Sequence, residues 1–176
     1  MCSSDLLQST FPALGAYTAL LEPPLAEAPG FGVGYAAITV SASGGVRAVG
    51  ALPDGLAYTT NSALLVDGTW PLFRAPYGRL GHLLGSVLWD EATPGGGMTA
   101  ADLLWVKLPV APTSKDAFYR DGIHLALSLS GEKYTPPVRA PLLALPLVPD
   151  NLVFSAYGAA LVTDPLIRPV TLTAAN

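Results

Sequence analysis

Apolar and polar residues alternate with a period of two along several short stretches of this chain. From Gly34 to Ser41, Ala36, Ile38 and Val40 fall on one face; Tyr35, Ala37, Thr39 and Ser41 fall on the other. Ile123 to Gly131 repeats the pattern, with Ile and Leu set against His, Ala and Ser. Side chains of an extended chain point to opposite faces in turn, so this spacing predicts half-buried strands. Further strand-like runs occupy 17–21, 46–52, 56–65, 69–73, 80–89, 102–107, 151–155 and 170–173.

Turn chemistry separates the runs. Ser43-Gly44-Gly45, Pro53-Asp54-Gly55 and Asp67-Gly68 are hairpin signals, because Pro presets φ and Gly permits positive φ. Pro94-Gly95-Gly96-Gly97 reads as a flexible loop. Pro71 cannot donate to a ladder, so the strand holding it is an edge or carries a bulge. Gly81 and Gly85 weaken any helix and suit a bent, closely packed strand. One helical turn is expected over Ser114–Tyr119. The fold class that follows is all-β: an antiparallel β-barrel or barrel-like sandwich with short Gly/Pro turns and little helix.

The expected organisation has three parts. Residues 1–11 form a terminus without packing, 12–137 a barrel-like module, and 138–176 a segment rich in Pro and Leu. That segment reads as a linker, or as strands completing this module or starting the next. Met1-Cys2-Ser3-Ser4-Asp5-Leu6 is the translation of a string common in sequencing-library adapters, so these residues are expected to be foreign to the fold.

Composition narrows the function classes. The 176 residues fit one domain and suffice for a sizeable core, and 51% of them are hydrophobic. Only 12% are charged, with a net charge of -4, and the basic residues are scattered. Nucleic acid is therefore not an expected partner. No apolar run is long enough to span a bilayer as a helix, so membrane insertion is not expected either. The single cysteine, Cys2, excludes a disulfide within the chain. Low Lys with abundant Thr, Ser, Gly, Ala and Pro leans towards an extracellular or cell-surface setting.

Candidate chemistry is sparse. His82 lies between glycines in an apolar run, and His124 on the polar side of an alternating one. No Gly-x-Ser-x-Gly elbow accompanies them. The acids Asp54, Asp67, Asp90, Glu91, Asp116 and Asp121 lack the dense spacing of a calcium loop, and Asp90 and Glu91 would point to opposite faces of a strand. Gly30-Phe31-Gly32-Val33-Gly34 precedes a strand rather than a helix, so it reads as a bend and not a phosphate loop. No cofactor, metal site or enzymatic constellation is expected. The aromatics Trp70, Trp89, Trp105, Tyr58, Tyr77 and Tyr119 are the group with most potential. Flat amphipathic rings serve equally as core packing or as a platform for sugars or partner chains. The candidate ligand-binding set is Trp70, Trp89, Tyr58, Tyr77 and Tyr119; Trp105, among Leu103, Leu104 and Val106, is expected in the core.

Seven segments, in order, carry a resemblance. They are Ser43-Gly44-Gly45-Val46, Gly50-Ala51-Leu52-Pro53-Asp54-Gly55, Asp67-Gly68-Thr69-Trp70-Pro71-Leu72-Phe73, Gly81-His82-Leu83-Leu84-Gly85, Leu103-Leu104-Trp105-Val106-Lys107, Tyr119-Arg120-Asp121-Gly122 and Tyr134-Thr135-Pro136. Residues 15–137 thereby resemble a β-rich repeat module of large secreted or surface bacterial proteins, often found beside immunoglobulin-like domains. Leu56 and Phe73 depart from its pattern, which has Thr and Tyr there. The resemblance implies a non-catalytic structural or adhesive module whose partners are neighbouring domains of the same polypeptide. The residues alone keep open a second class, a barrel binding a small ligand, glycan or protein through surface aromatics.

Overall fold

The computed structural model describes residues 12–24, 31–92, 96–113, 119–135, 152–156 and 166–170, the last two segments by backbone alone. Two compact units divide the chain, one ending at Tyr134 and the other starting at Thr135. The first holds eight strands: β1 (Gly15–Glu22), β2 (Gly34–Val40), β3 (Gly45–Ala51), β4 (Ala57–Ala63), β5 (Thr69–Arg74), β6 (Gly81–Asp90), β7 (Gly97–Lys107) and β8 (Ile123–Tyr134). They form one antiparallel sheet in the order β4-β3-β2-β1-β8-β7-β6-β5, curled into a nearly closed barrel. In the second unit, β9 (Leu152–Ala156) and β10 (Leu166–Val170) pair antiparallel.

The period of two becomes the two surfaces of the barrel wall. Tyr17, Ala19 and Leu21 of β1 point inward, as do Ala36, Ile38 and Val40 of β2 and Ile123, Leu125, Leu127 and Leu129 of β8. Trp70, Leu72, Leu83, Val87, Met98, Leu103 and Trp105 complete a single core. The alternation breaks once. Between Ala100 and Leu103, β7 carries one more residue than either neighbour needs, a bulge seen in both ladders. Met98 and Ala100 turn inward before the bulge and Leu103 and Trp105 after it, so inward parity changes from even to odd.

Three hairpin turns share one design. In 41–45, 52–56 and 65–69, the fourth residue is a glycine with φ of 79°, 86° and 81°. Its N–H donates to the first residue's carbonyl, and the first N–H returns to the fifth carbonyl, at 2.7–3.1 Å. Asp54 and Asp67 reinforce two of the turns, each accepting the backbone N–H two residues on, at 3.0 and 2.9 Å. These are the turns the glycines predict.

The barrel has one seam. β4 and β5 are joined by the tight 65–69 turn yet share no ladder, and they are the two ends of the sheet order. Pro71 explains this. The ladder begins with Leu65 N–H to the Thr69 carbonyl at 2.7 Å. The next seam-facing residue of β5 is Pro71, which has no N–H to give. Of the two alternatives predicted for the Pro71 strand, an edge or a bulge, the edge is observed.

Two expectations need correction. The glycine run was expected to be loop through Gly97, but β7 starts at Gly97, because Met98 supplies an inward side chain that anchors the strand. A 3-10 turn, Tyr77–Arg79, was not predicted. Most of the helical turn expected over Ser114–Tyr119 lies outside the described residues; Tyr119 itself is non-helical, with φ of 51°.

Candidate functional site

The polar side chains that matter gather at the two mouths of the barrel. At one mouth, where β1 starts and β6 ends, Trp89 Nε1 donates to the Tyr17 hydroxyl at 3.1 Å. Tyr17 in turn donates to the Ala13 carbonyl at 2.8 Å. Burial raises the Tyr17 pKa, and the Trp89 hydrogen bond to its oxygen opposes that in part.

The opposite mouth repeats the arrangement with a carboxylate as final acceptor. Trp105 Nε1 donates to the Tyr77 hydroxyl at 3.0 Å. Tyr77 donates to Asp54 Oδ2 at 2.6 Å, a short charge-assisted bond. Lys107 is 3% exposed, and its Nζ lies 5.2 Å from the Tyr77 ring centroid, a cation–π contact. Phe31 caps the group, edge-on to Trp105 with centroids 5.3 Å apart and stacked on Tyr119 at 4.4 Å. Tyr77 reaches this position from an unusual backbone. Tyr77, Gly78 and Arg79 all have positive φ, at 57°, 62° and 77°. A bulky residue adopts that region only when its surroundings hold it there. The two bonds at its hydroxyl and the lysine over its ring help to hold it there.

This cluster has a mechanical consequence. Asp54 precedes β4 and Tyr77 follows β5, so their hydrogen bond clasps the seam at the end away from the 65–69 turn. Midway, the Thr60 hydroxyl donates to the Phe73 carbonyl at 2.7 Å. Side chains thus bridge the seam where a ladder does not.

The candidate ligand-binding aromatics are not brought together. Trp70 is 0% exposed, inside the core. Tyr58 is 3% exposed, and burial pushes its pKa up to about 12. Trp89 is half-buried at one mouth; Tyr77 and Tyr119, half-buried too, are at the other. Trp105 is fully buried, as expected. Among the described residues, the Tyr58 hydroxyl and Trp70 Nε1 have no hydrogen-bond partner. Among the described residues, the rings that face outward are Tyr35, Phe73 and Tyr134. The alternation of 34–41 already set Tyr35 on the face opposite Ala36, Ile38 and Val40; Phe73 and Tyr134 were not singled out, because neither lies in a run whose alternation separates the two faces.

Elsewhere the geometry is plain. His82 and His124 flank Val106 in one cross-strand row, two strands apart. Among the described residues, no three His, Cys, Asp or Glu side chains group as metal ligands, and no helix is long and apolar enough to cross a membrane. An outer hollow of about 530 Å³ spans β1, β8 and β7, with Thr18, Leu20, Thr99, Ser130, Glu132 and Tyr134 among its lining. A smaller cleft of about 390 Å³ lies on the seam, lined by Thr59, Thr60, Phe73, Arg74, Ala75 and Arg79. Comparison of the chain with protein-family models, with curated proteins and with solved structures gave no match.

Proposed function

We propose that this chain supplies a non-catalytic structural module to a larger exported or cell-surface protein, where it spaces or presents neighbouring domains of the same polypeptide. The observation that carries the reading is where the aromatics go. Both Trp–Tyr pairs brace a mouth of the barrel, and Trp70 and Tyr58 fill its interior, so none of these six rings joins a common outward platform. A barrel filled by its own side chains is a rigid spacer. The resemblance to a repeat module of secreted and surface bacterial proteins supports the same reading and the extracellular setting.

The alternative, a glycan-binding barrel, makes the opposite demand on the same residues. Trp105→Ala and Trp89→Ala are to be compared with the parent chain by thermal melting and on a glycan array. The structural reading expects no glycan retention by the parent and a large loss of melting temperature in Trp105→Ala. Retention of a glycan by the parent, abolished in a Trp89→Ala chain of native stability, overturns it.

A further inference from the structure

The seam cleft joins three features that the spacer role does not use. The first is charge. Arg74 and Arg79 both line the cleft, and neither guanidinium has a hydrogen-bond or ion-pair partner among the described residues. The chain has only 9 basic residues and a net charge of -4, and two of the nine line this one cleft.

The second is strand edge. Leu52 N–H bonds to the Leu56 carbonyl and Leu64 N–H to the Gly44 carbonyl, so the even-numbered residues between them turn their backbone groups towards β3. By alternation, the backbone groups of Ala57 and Thr59 face the seam, where no ladder receives them. The Thr60 to Phe73 bond bounds the opening on one side and the Asp54 to Tyr77 clasp on the other. Only two or three residues of an extended chain fit between them, at about 3.3 Å each.

The third is an apolar row. Phe73, Leu84 and Leu104 are direct cross-strand neighbours on the outer face of β5, β6 and β7, and Phe73 is 60% exposed. The row starts at the cleft.

We infer that the seam cleft binds the carboxylate end of an extended peptide. The last residues of the peptide hydrogen-bond to the free edge of β4 at Ala57 and Thr59. Its terminal carboxylate lies between the Arg74 and Arg79 guanidiniums, and a preceding apolar side chain rests on Phe73. Strand addition supplies the backbone recognition, and a guanidinium matches a carboxylate with two parallel donors. This is independent of the spacer reading, which needs no ligand.

The probe is N-acetyl-Val-Thr-Val with a free C-terminus, titrated into the isotope-labelled full chain and followed by amide NMR. Shifts are expected at Ala57, Thr59, Phe73 and Arg74, weakening with salt. Amidation of the probe is expected to lower affinity at least about fivefold, and Arg74→Gln to do the same, since each removes a charge-assisted pair. Arg79→Asn is the matching variant, because Asn tolerates the left-handed backbone there. Arg47→Gln, which alters a separate hollow beside Thr39 and Asn61, is expected to bind as the parent does. The amidated probe keeps the test decisive even if an arginine variant misfolds. Equal binding of acid and amide, or no shifts at millimolar peptide, overturns the inference. So does a glucuronate disaccharide that shifts the same amides as strongly, which would make the cleft a sugar site.

Discussion

The barrel is closed at two places, and they are built differently. Where β1 meets β8, seven consecutive residue pairs from Ala16↔Tyr134 to Glu22↔Ser128 form a regular ladder between strands distant in sequence. Where β4 meets β5, strands joined directly by the 65–69 turn make none. Proximity in sequence therefore does not by itself produce a ladder. At the seam Pro71 lacks an N–H to donate, and three devices take over: the 65–69 turn, the Thr60 hydroxyl and the Asp54–Tyr77 clasp. The joint is held by backbone groups, which most substitutions leave intact. The seam is held by named side chains, so single substitutions should open it.

The largest effect is expected from Trp105→Ala. It empties a fully buried site and removes the donor that supports Tyr77 at the clasp, at a cost of about 3–5 kcal/mol. Thermal or denaturant unfolding measures it, and a variant as stable as the parent would show that the clasp and its core contacts are dispensable.

At the joint, steric change should matter where side-chain loss does not. A Cβ on Gly131 would lie 2.7 Å from the Ala19 Cβ, across the β1/β8 ladder. Gly131→Val is expected to cost about 1–3 kcal/mol or more through overpacking. Little change in its denaturation midpoint would mean that the joint is looser than its register implies.

Tyr58 tests the barrel wall beside the seam through pH. Its folded pKa, about 12, lies above its ordinary value of 10.0, so the folded chain holds the proton longer than the unfolded one. Its contribution is complete below pH 10 and is lost as pH rises towards 12. Stability should fall over that window in the parent and fall less in Tyr58→Phe. Below pH 10, Tyr58→Phe should gain about 1 kcal/mol, since the buried hydroxyl has no partner. A loss of stability in that variant would show that the hydroxyl is satisfied in solution.

The smallest effect is expected from Pro71→Val. It returns a seam-facing N–H and allows the ladder to extend beyond Leu65 and Thr69, for about 0.5–1 kcal/mol. Hydrogen exchange gives the sharper readout. In the parent, the seam-facing amides of Thr59 and Asn61 should exchange faster than the amides of β1, which is paired on both sides; in Pro71→Val they should slow. Unchanged exchange would mean that something other than the missing donor keeps the strands apart.

Strand identity, inward residues and hairpin turns were legible in the sequence because each depends on neighbours a few positions apart. Ala36, Ile38 and Val40 alternate whatever their partner, and Gly44, Gly55 and Gly68 mark positive φ locally. Pro71 announced an edge or a bulge for the same reason. What the sequence could not supply was pairing between distant segments. The β7 bulge appears only when Ala100 and Leu103 are set against β6 and β8. The Tyr77 backbone is supported by Asp54, Trp105 and Lys107, which lie 23, 28 and 30 positions away in the chain. The aromatics show the division most clearly. Local pattern already put Tyr35 on the polar face and Trp105 in the core, but around Trp70 and Phe73 no clean alternation marks the faces, and there the closed sheet decides. The closed sheet placed Trp70 inside and, among the described residues, left Phe73 and Tyr134 on the outer face. That choice belongs to the tertiary structure, because it rests on which strands exchange hydrogen bonds and not on what any one strand contains.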